Sequence, residues 1–237
     1  MTERPVVYSA SSVHAYEECH LQWWFGYVLA ETGTESEPMR VGIQVHDYAE
    51  DVLLHLGTGY IAPNTSGRPE VQQLLRVFDK DILPTYRDPI LIEAPFQIAV
   101  NDIPFSGILD ALDKHDMPWG FANILRDTKT TGSRPRAGRY RFAMTGYWLG
   151  ATDLGFPPDI AQLDYIVRTK NPYYWPEPME PITDDDIAIF AAQLEAVANG
   201  VARADYRPTG LGTRACVSCP YKASCGPYER YQKEVSQ

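Results

Sequence analysis

The four cysteines form a pattern that suits a metal ion or an iron–sulfur cluster. Three of them follow the spacing Cys216-x2-Cys219-x5-Cys225, and the fourth, Cys19, lies nearly two hundred residues upstream. Thiolates at this spacing can converge from one loop, and four thiolates bind either zinc or an iron–sulfur cluster. Spacing alone leaves both cofactors open, together with the plainer alternative of three unrelated loop cysteines and one buried helical cysteine.

A second pattern combines two carboxylates with a lysine. Gly107-Ile108-Leu109-Asp110 ends one predicted strand, and Asp127-Thr128-Lys129 lies on the next. Residues two apart on a strand point the same way, so Asp127 and Lys129 are predicted to share a face. Two carboxylates beside an ammonium can hold a hard divalent cation and assist the attack of water on a phosphodiester. A lone Asp-x-Lys triplet is more commonly part of a solvated strand face, so the residues around it determine whether it is interpreted as an active site.

The charge of the chain is unevenly distributed. The net charge is -10, which by itself argues weakly against nucleic acid as a partner. Residues 126–141 nevertheless carry +5, because they hold one acid, Asp127, and six basic residues: Arg126, Lys129, Arg134, Arg136, Arg139 and Arg141. This basic strip is either a solvated loop or a track for phosphates.

The elements that must position these residues follow from hydrophobic periodicity. A serine-rich start at residues 9–12 predicts a helix running to about Phe25. Helices are further predicted over 41–56, 69–83 and 140–154 and after Thr183, and strands over 91–100, 103–113, 122–128 and 162–168. Asn101-Asp102 predicts a hairpin turn, and Thr183 with Asp186 predicts a capping box. Helices followed by a sheet predict an α/β fold.

Length and composition narrow the class of protein. The chain has 237 residues, of which 44% are hydrophobic and 22% charged, which is typical of one globular domain over 1–237. Within it we expect an N-terminal helical part (1–88), a catalytic sheet core (89–170) and a C-terminal helix with the cysteine-rich segment (171–237). No stretch has the roughly 18 apolar residues of a membrane span, and the first residues do not resemble a signal peptide. A cytoplasmic, reducing location is therefore expected, which makes disulfides an improbable use of the cysteines.

The motifs together resemble a known family. Gly42-x-x-x-His46 lies on a predicted helix, where a lone histidine is more commonly a packed or surface residue. The order is a serine-rich helix start with Cys19, then this histidine, Gly-x-x-Asp at Asp110, Asp-x-Lys at Asp127, and the terminal cysteines. It resembles the RecB-like, iron–sulfur branch of the PD-(D/E)XK nuclease superfamily, which is similar to CRISPR-associated prespacer-trimming exonucleases and the AddB nuclease domain.

This resemblance implies a set of roles. The fold would be a restriction-endonuclease-like core, a central mixed β-sheet flanked by helices, with its N- and C-terminal segments joined by a [4Fe–4S] cluster on Cys19, Cys216, Cys219 and Cys225. His46, Asp110 and Asp127, with the Thr128 carbonyl, would bind Mg²⁺ or Mn²⁺, and Lys129 would orient or activate water. The activity would be exonucleolytic cleavage of single-stranded DNA or DNA ends in a bacterial or phage setting. A homo-oligomer, or partner proteins of recombination or adaptation, would fit the same setting.

The sequence also suggests which residues contact nucleic acid and whether the protein is catalytically active. Arg134, Arg136 and Arg139 are expected to contact backbone phosphates. Tyr140 and Tyr147, seven residues apart on one face of a predicted helix, either bind nucleic acid or pack in the core. The family pattern Gln-x-x-x-Tyr is altered, because Ala143 stands four residues before Tyr147. The missing glutamine leaves open a DNA-binding module that keeps the fold and the cluster without turnover. A zinc-stabilised scaffold is a third alternative, which requires only the cysteines. Glu93, another acid near the sheet, is interpreted as a strand-surface residue rather than as a ligand.

Overall fold

The fold contains two compact units. The computed structural model describes residues 6–58, 67–133 and 138–235, with side chains described through residue 230. The first unit holds the described residues up to Ser36, Ala99–Phe105 and the residues from Ala188 onward. The second unit holds the described residues of Glu37–Ile98 and Ser106–Ile187, and with them Asp110, Asp127 and Lys129.

Regular structure accounts for most of the described chain. Its helices are α1 (Ala10–Glu18), α2 (His20–Trp23), α3 (Glu37–Leu54), α4 (Pro69–Val77), α5 (Arg141–Asp153), α6 (Asp184–Ala202), α7 (Arg214–Ser218) and α8 (Gly226–Val235). A π-helical turn extends α2 (Trp24–Val28), and a π turn and a 3₁₀ turn extend α4 (Phe78–Ile82 and Leu83–Thr85). The strands are β1 (Pro89–Val100), β2 (Ile103–Met117), β3 (Gly120–Thr131), β4 (Ile160–Val167) and β5 (Tyr173–Met179). None of the helices in the described ranges is long and apolar enough to cross a membrane.

The strands form one mixed sheet in the order β1-β2-β3-β4-β5. β2 is antiparallel to β3, β3 is parallel to β4, and β4 is antiparallel to β5. The parallel pair needs a crossover connection, which α5 supplies. At the β1–β2 turn, Asn101 and Asp102 have φ of 48° and 63°, the left-handed pair that a type I′ hairpin turn requires.

Helices cover both faces of the sheet in the second unit. Apolar residues of α3 and α4, such as Val45, Leu53 and Leu74, are buried in one core with Ala111 of β2 and Ile166 of β4. On α5, Gly150 lies so close to β1 that an added Cβ would stand 2.4 Å from Phe96. The small residue therefore permits the close approach of α5 to the sheet.

The first unit is built around aromatic side chains. Ser9 caps α1 with a reciprocal capping box involving Ser12. The buried Trp23 ring stacks between Tyr27 and Tyr206, with centroids 5.5 and 6.0 Å away. The unit also contains all four cysteines, since Cys19 follows α1 and the other three lie between the start of α7 and the start of α8.

The predicted α/β class, a mixed sheet flanked by helices, is confirmed. The predicted strands and the other predicted helices are present, with ends that shift by a few residues. The helix predicted from residue 9 to about Phe25 is broken at Cys19, whose extended backbone separates α1 from α2. The sequence did not predict β5, α7 or α8. Arg134 and Arg136 of the basic strip lie outside the described residues.

Candidate active site

Strand register brings the two predicted aspartates together. Ala111 of β2 is opposite Arg126 of β3, so Asp110, one residue earlier, adjoins Asp127, one residue later. The Thr128 backbone N–H donates a 2.8 Å hydrogen bond to Asp110 Oδ2. This hydrogen bond ties the Asp110 carboxylate to the backbone of β3 and fixes its orientation.

Asp127 and Lys129 form a close ion pair. Lys129 Nζ lies 2.7 Å from Asp127 Oδ1, while Asp127 Oδ2 is buried and lacks a hydrogen-bond partner among the described residues. Burial raises the pKa of Asp127 to about 6, with Asp110 adding to the rise and Lys129 opposing it. Burial alone would lower the pKa of Lys129, but the Asp127 and Asp110 carboxylates outweigh it and raise that pKa. Lys129 therefore carries a proton, and one carboxylate oxygen remains available.

A potential cation site lies beside this pair. One ligand atom each of His46, Glu93 and Asp110 lies within 4.8 Å of the others, and His46 Nδ1 is 3.4 Å from Asp110 Oδ2. Burial, together with the nearby Asp110 and Glu50 carboxylates, raises the pKa of Glu93 to about 7. Such crowding of acids disfavours their joint ionisation unless a cation is present.

Glu93 is the residue that sequence reasoning underestimated. It is the one charged residue in β1, and its φ of 43° is left-handed, which is uncommon outside glycine. This conformation interrupts the alternation of β1 and brings Glu93 to His46 and Asp110. The lone charge in an apolar strand was the available signal in the sequence.

The residue types fit a hard divalent cation. Carboxylate oxygens suit Mg²⁺ and Mn²⁺, and imidazole is a common ligand of transition metals. The orphaned buried oxygen of Asp127 is a polar group that a cation or an ordered water would satisfy. The site contains the predicted residues His46, Asp110 and Asp127, and adds Glu93.

Aromatic and basic side chains lie around the lysine. Lys129 Nζ is 5.9 Å from the ring centroid of Tyr140, and the exposed Arg139 guanidinium is 5.5 Å from the same ring. Tyr147 on α5 is half-buried near the acids, and its partial burial together with the Asp127 and Asp110 carboxylates raises its pKa to about 12. Tyr140 is the residue before α5 rather than a part of it.

Two members of the basic strip are not free for a ligand. Arg126 is 2% exposed and pairs with Asp164 at 2.8 Å. Arg141 donates from Nε to Asp186 Oδ1 at 2.8 Å. The available positive charge is therefore smaller than the sequence count of +5.

The four cysteines line one pocket of the first unit. Cys19, Cys216, Cys219 and Cys225 share its wall with Phe25 and Tyr228, and none forms a disulfide. Burial raises the pKa of Cys219 and of Cys225, and the thiols of Cys19 and Cys216 raise both further. Thiols that oppose one another's ionisation need a cationic partner to become thiolates together.

Comparisons with solved structures find a similar fold. No curated protein matches the sequence. Among solved structures, one named "Putative exonuclease", from Eubacterium rectale, superposes with a TM-score of 0.56 at 10% identity, covering 82% of each chain. A second, SSO0001, covers 87% of this chain and 94% of its own, but its TM-score of 0.38 at 14% identity is too low for an argument. The first of these shows similarity of fold.

A match to a family model identifies the protein family. The model of the PD-(D/E)XK nuclease superfamily matches residues 64–226, a span that includes Glu93, Asp110, Asp127 and Lys129. Three of the cysteines lie inside this span, whereas His46 and Cys19 precede it. With the mixed sheet and the juxtaposed acids and lysine, this match places the chain in the PD-(D/E)XK nuclease superfamily.

Proposed function

We propose that the protein is a metal-dependent deoxyribonuclease that acts as an exonuclease on single-stranded DNA or on DNA ends. The observation that carries this proposal is the convergence of Asp110, Asp127 and Lys129 on two adjacent strands, with His46 and Glu93 beside them. Recombination, repair or CRISPR-adaptation-like processing is the setting that the RecB-like motif order supports.

The cation would be held by His46, Asp110 and Asp127, with Glu93 as a further oxygen ligand. When bound, a divalent cation would polarise water and a phosphate oxygen and offset charge on the scissile phosphate. Asp127 Oδ2 is the oxygen free for this role, because Oδ1 is occupied by Lys129.

The chain's own residues would then orient the reaction. Lys129 stays protonated, so it acts as a hydrogen-bond donor and positive charge that orients water or stabilises the phosphate, rather than as a base. Asp127 fixes the ammonium at 2.7 Å, and the Thr128 N–H fixes Asp110. Preorganised donors of this kind contribute because they need no rearrangement during the reaction.

DNA would reach the site along the basic strip. Arg139 and Tyr140 lie next to Lys129, and a guanidinium over an aromatic ring can bind a phosphate while a base stacks nearby. Arg134 and Arg136 are proposed, from the sequence, to extend this contact.

We further propose that the cysteine pocket holds a [4Fe–4S] cluster. All four cysteines line one pocket, which supports a site with four thiolate ligands. The RecB-like motif order favours an iron–sulfur cluster over zinc at this site. Colour and elemental analysis of anaerobically purified protein distinguish iron from zinc.

The nuclease proposal is tested with end-labelled DNA. Anaerobically purified protein is incubated with single- and double-stranded DNA labelled at either end, with Mg²⁺, with Mn²⁺ or with chelator. We expect progressive shortening of labelled strands that requires the metal. DNA that is bound but uncut under all conditions would contradict the proposal and favour the binding module.

A further inference from the structure

A cavity lies on the face of the sheet opposite the candidate active site. It has a volume of about 260 Å³, and its lining includes His115, Ile124, Arg126, Gln162, Tyr174 and Pro176. Arg126 and Asp127 are neighbours on β3, and successive side chains of a strand point to opposite faces. The cavity is therefore separated by the sheet from Asp127 and Lys129.

Arg126, which lines the cavity, belongs to a buried ionic network. Arg126 donates from Nε to Asp164 Oδ2 at 2.8 Å, and its NH1 lies 3.6 Å from Asp113 Oδ2. Asp113 and Asp164 are fully buried. A network of this kind is weak evidence for stability, because desolvation offsets much of its Coulomb energy. Two carboxylates facing one guanidinium also disfavour an anionic ligand.

The walls of the cavity combine apolar surfaces with two hydrogen-bond acceptors. Tyr174, Pro176 and Ile124 provide surfaces on which a ring can stack. The Gln162 amide donates from Nε2 to Asp164 Oδ1 at 2.7 Å, so its Oε1 is left as an acceptor. His115 Nε2 lies 2.5 Å from an Asp113 oxygen, and in the tautomer that donates from Nε2 to this carboxylate, Nδ1 is an acceptor. Neither acceptor has a donor within the described ranges.

We propose that this cavity binds the base of an amino-bearing nucleoside. Its volume exceeds that of a single water, which needs about 10–15 Å³, and approaches the lower end of small-molecule sites, about 300 Å³. A flat, uncharged ring fits the walls, and its N–H donors match Gln162 Oε1 and His115 Nδ1. Adenine, cytosine and guanine carry an exocyclic amine, whereas uracil does not. This proposal does not depend on the nuclease proposal.

The test uses nucleosides in the presence of chelator. They lack the phosphate that a metal-dependent active site would recognise, so binding reports on the cavity. Isothermal titration with adenosine, cytidine, guanosine and uridine should give saturable binding of at least one amino-bearing nucleoside, with uridine at least about tenfold weaker, or about 1.4 kcal/mol. Failure of all four to bind at millimolar concentration would overturn the proposal, as would equal binding of uridine.

Variants locate the binding. Gln162→Leu removes the acceptor and should weaken binding about tenfold or more, and Ile124→Phe should weaken it by filling the cavity. The two changes act on different strands, so a folding defect in one leaves the other as a test. Lys129→Ala, on the opposite face, should leave nucleoside binding unchanged. Binding that is lost in Lys129→Ala but kept in Gln162→Leu and Ile124→Phe would contradict the site.

Discussion

Lys129 Nζ lies 2.7 Å from one oxygen of Asp127, whereas the other oxygen of the same carboxylate is buried and lacks a partner among the described residues. One side chain thereby performs two tasks, since it fixes the lysine and keeps a ligand oxygen free. A buried carboxylate with an unsatisfied oxygen is costly, and a bound cation would remove that cost. Asp127 and Lys129 can form this pair because residues two apart on a strand point to the same face.

Glu93→Gln should weaken the binding of Mn²⁺ at least about tenfold, because a neutral amide replaces a charged oxygen ligand. The measurement is isothermal titration of DNA-free protein with Mn²⁺. Glu195→Gln, a change at an exposed residue of α6, is the matched control and should bind as the wild type does. Unchanged affinity in Glu93→Gln would remove this residue from the metal site.

Cys19→Ala should yield insoluble or markedly less stable protein, with a larger effect than any single active-site substitution. Energy gained at a thiolate site is also folding energy, since the unfolded chain has no preformed site. Cys19 and the terminal cysteines belong to one unit and would join its two ends. Iron-containing wild type should be brown and absorb broadly near about 400 nm.

Thermal unfolding and metal content check the cysteine prediction. Colourless protein with stoichiometric zinc would show that the cysteines bind zinc rather than a cluster, and the predicted structural role of the site would stand. A Cys19→Ala protein as stable as the wild type would disprove that structural role.

Gly150→Ala should destabilise the protein by about 1–3 kcal/mol, although alanine favours helices by about 1 kcal/mol over glycine. The new Cβ would lie 2.4 Å from Phe96, so α5 or the ring must move. Gly42→Ala in α3 is the matched control, because its Cβ would be 3.4 Å from Thr130 Oγ1, an ordinary contact. Urea unfolding should show a loss for Gly150→Ala and no loss for Gly42→Ala; equal stabilities would contradict the packing argument.

Asp186→Asn should lower stability at neutral pH but have a diminishing effect in acid. Arg141 and Thr183 donate hydrogen bonds to the Asp186 carboxylate and lower its pKa below the ordinary value of 3.8. The stabilisation is therefore complete above about pH 4 and is lost as the pH falls through the lowered, folded-state pKa.

Unfolding free energies measured at intervals from pH 7 down into acid test the Asp186 prediction. The gap between wild type and Asp186→Asn should be about 1–3 kcal/mol at pH 7 and should narrow below pH 4. A gap that stays constant over this range would show that the ionised carboxylate is not responsible.

Much of the fold could be predicted from local patterns. Turn and cap chemistry act over a few residues, so local sequence predicts the Asn101-Asp102 turn and the capping box of Thr183 with Asp186. The spacing of apolar residues likewise predicts α3. β5 escaped prediction because Pro176 and Pro178 interrupt it, and proline is tolerated there since the strand lies at the sheet edge.

The candidate site was predictable only in part. The spacing of Asp127 and Lys129 follows from strand alternation, and motif order pointed to His46 and Asp110. Glu93 reaches the site because its backbone is left-handed, a conformation that a glutamate in the sequence does not predict. The pairing of Arg126 with Asp164, 38 residues away, is a tertiary contact, so the sequence overestimated the free basic charge.

Lys129→Ala, assayed for both cleavage and binding of end-labelled DNA in Mn²⁺, tests the central claim most directly. We expect turnover to fall by about 10²-fold or more, while affinity in anisotropy measurements stays close to that of the wild type, because one ammonium is a small part of a multi-contact phosphate track. Lys170→Ala, at an exposed lysine, should retain both activities. Wild-type turnover in Lys129→Ala would show that the active site has been assigned to the wrong residues.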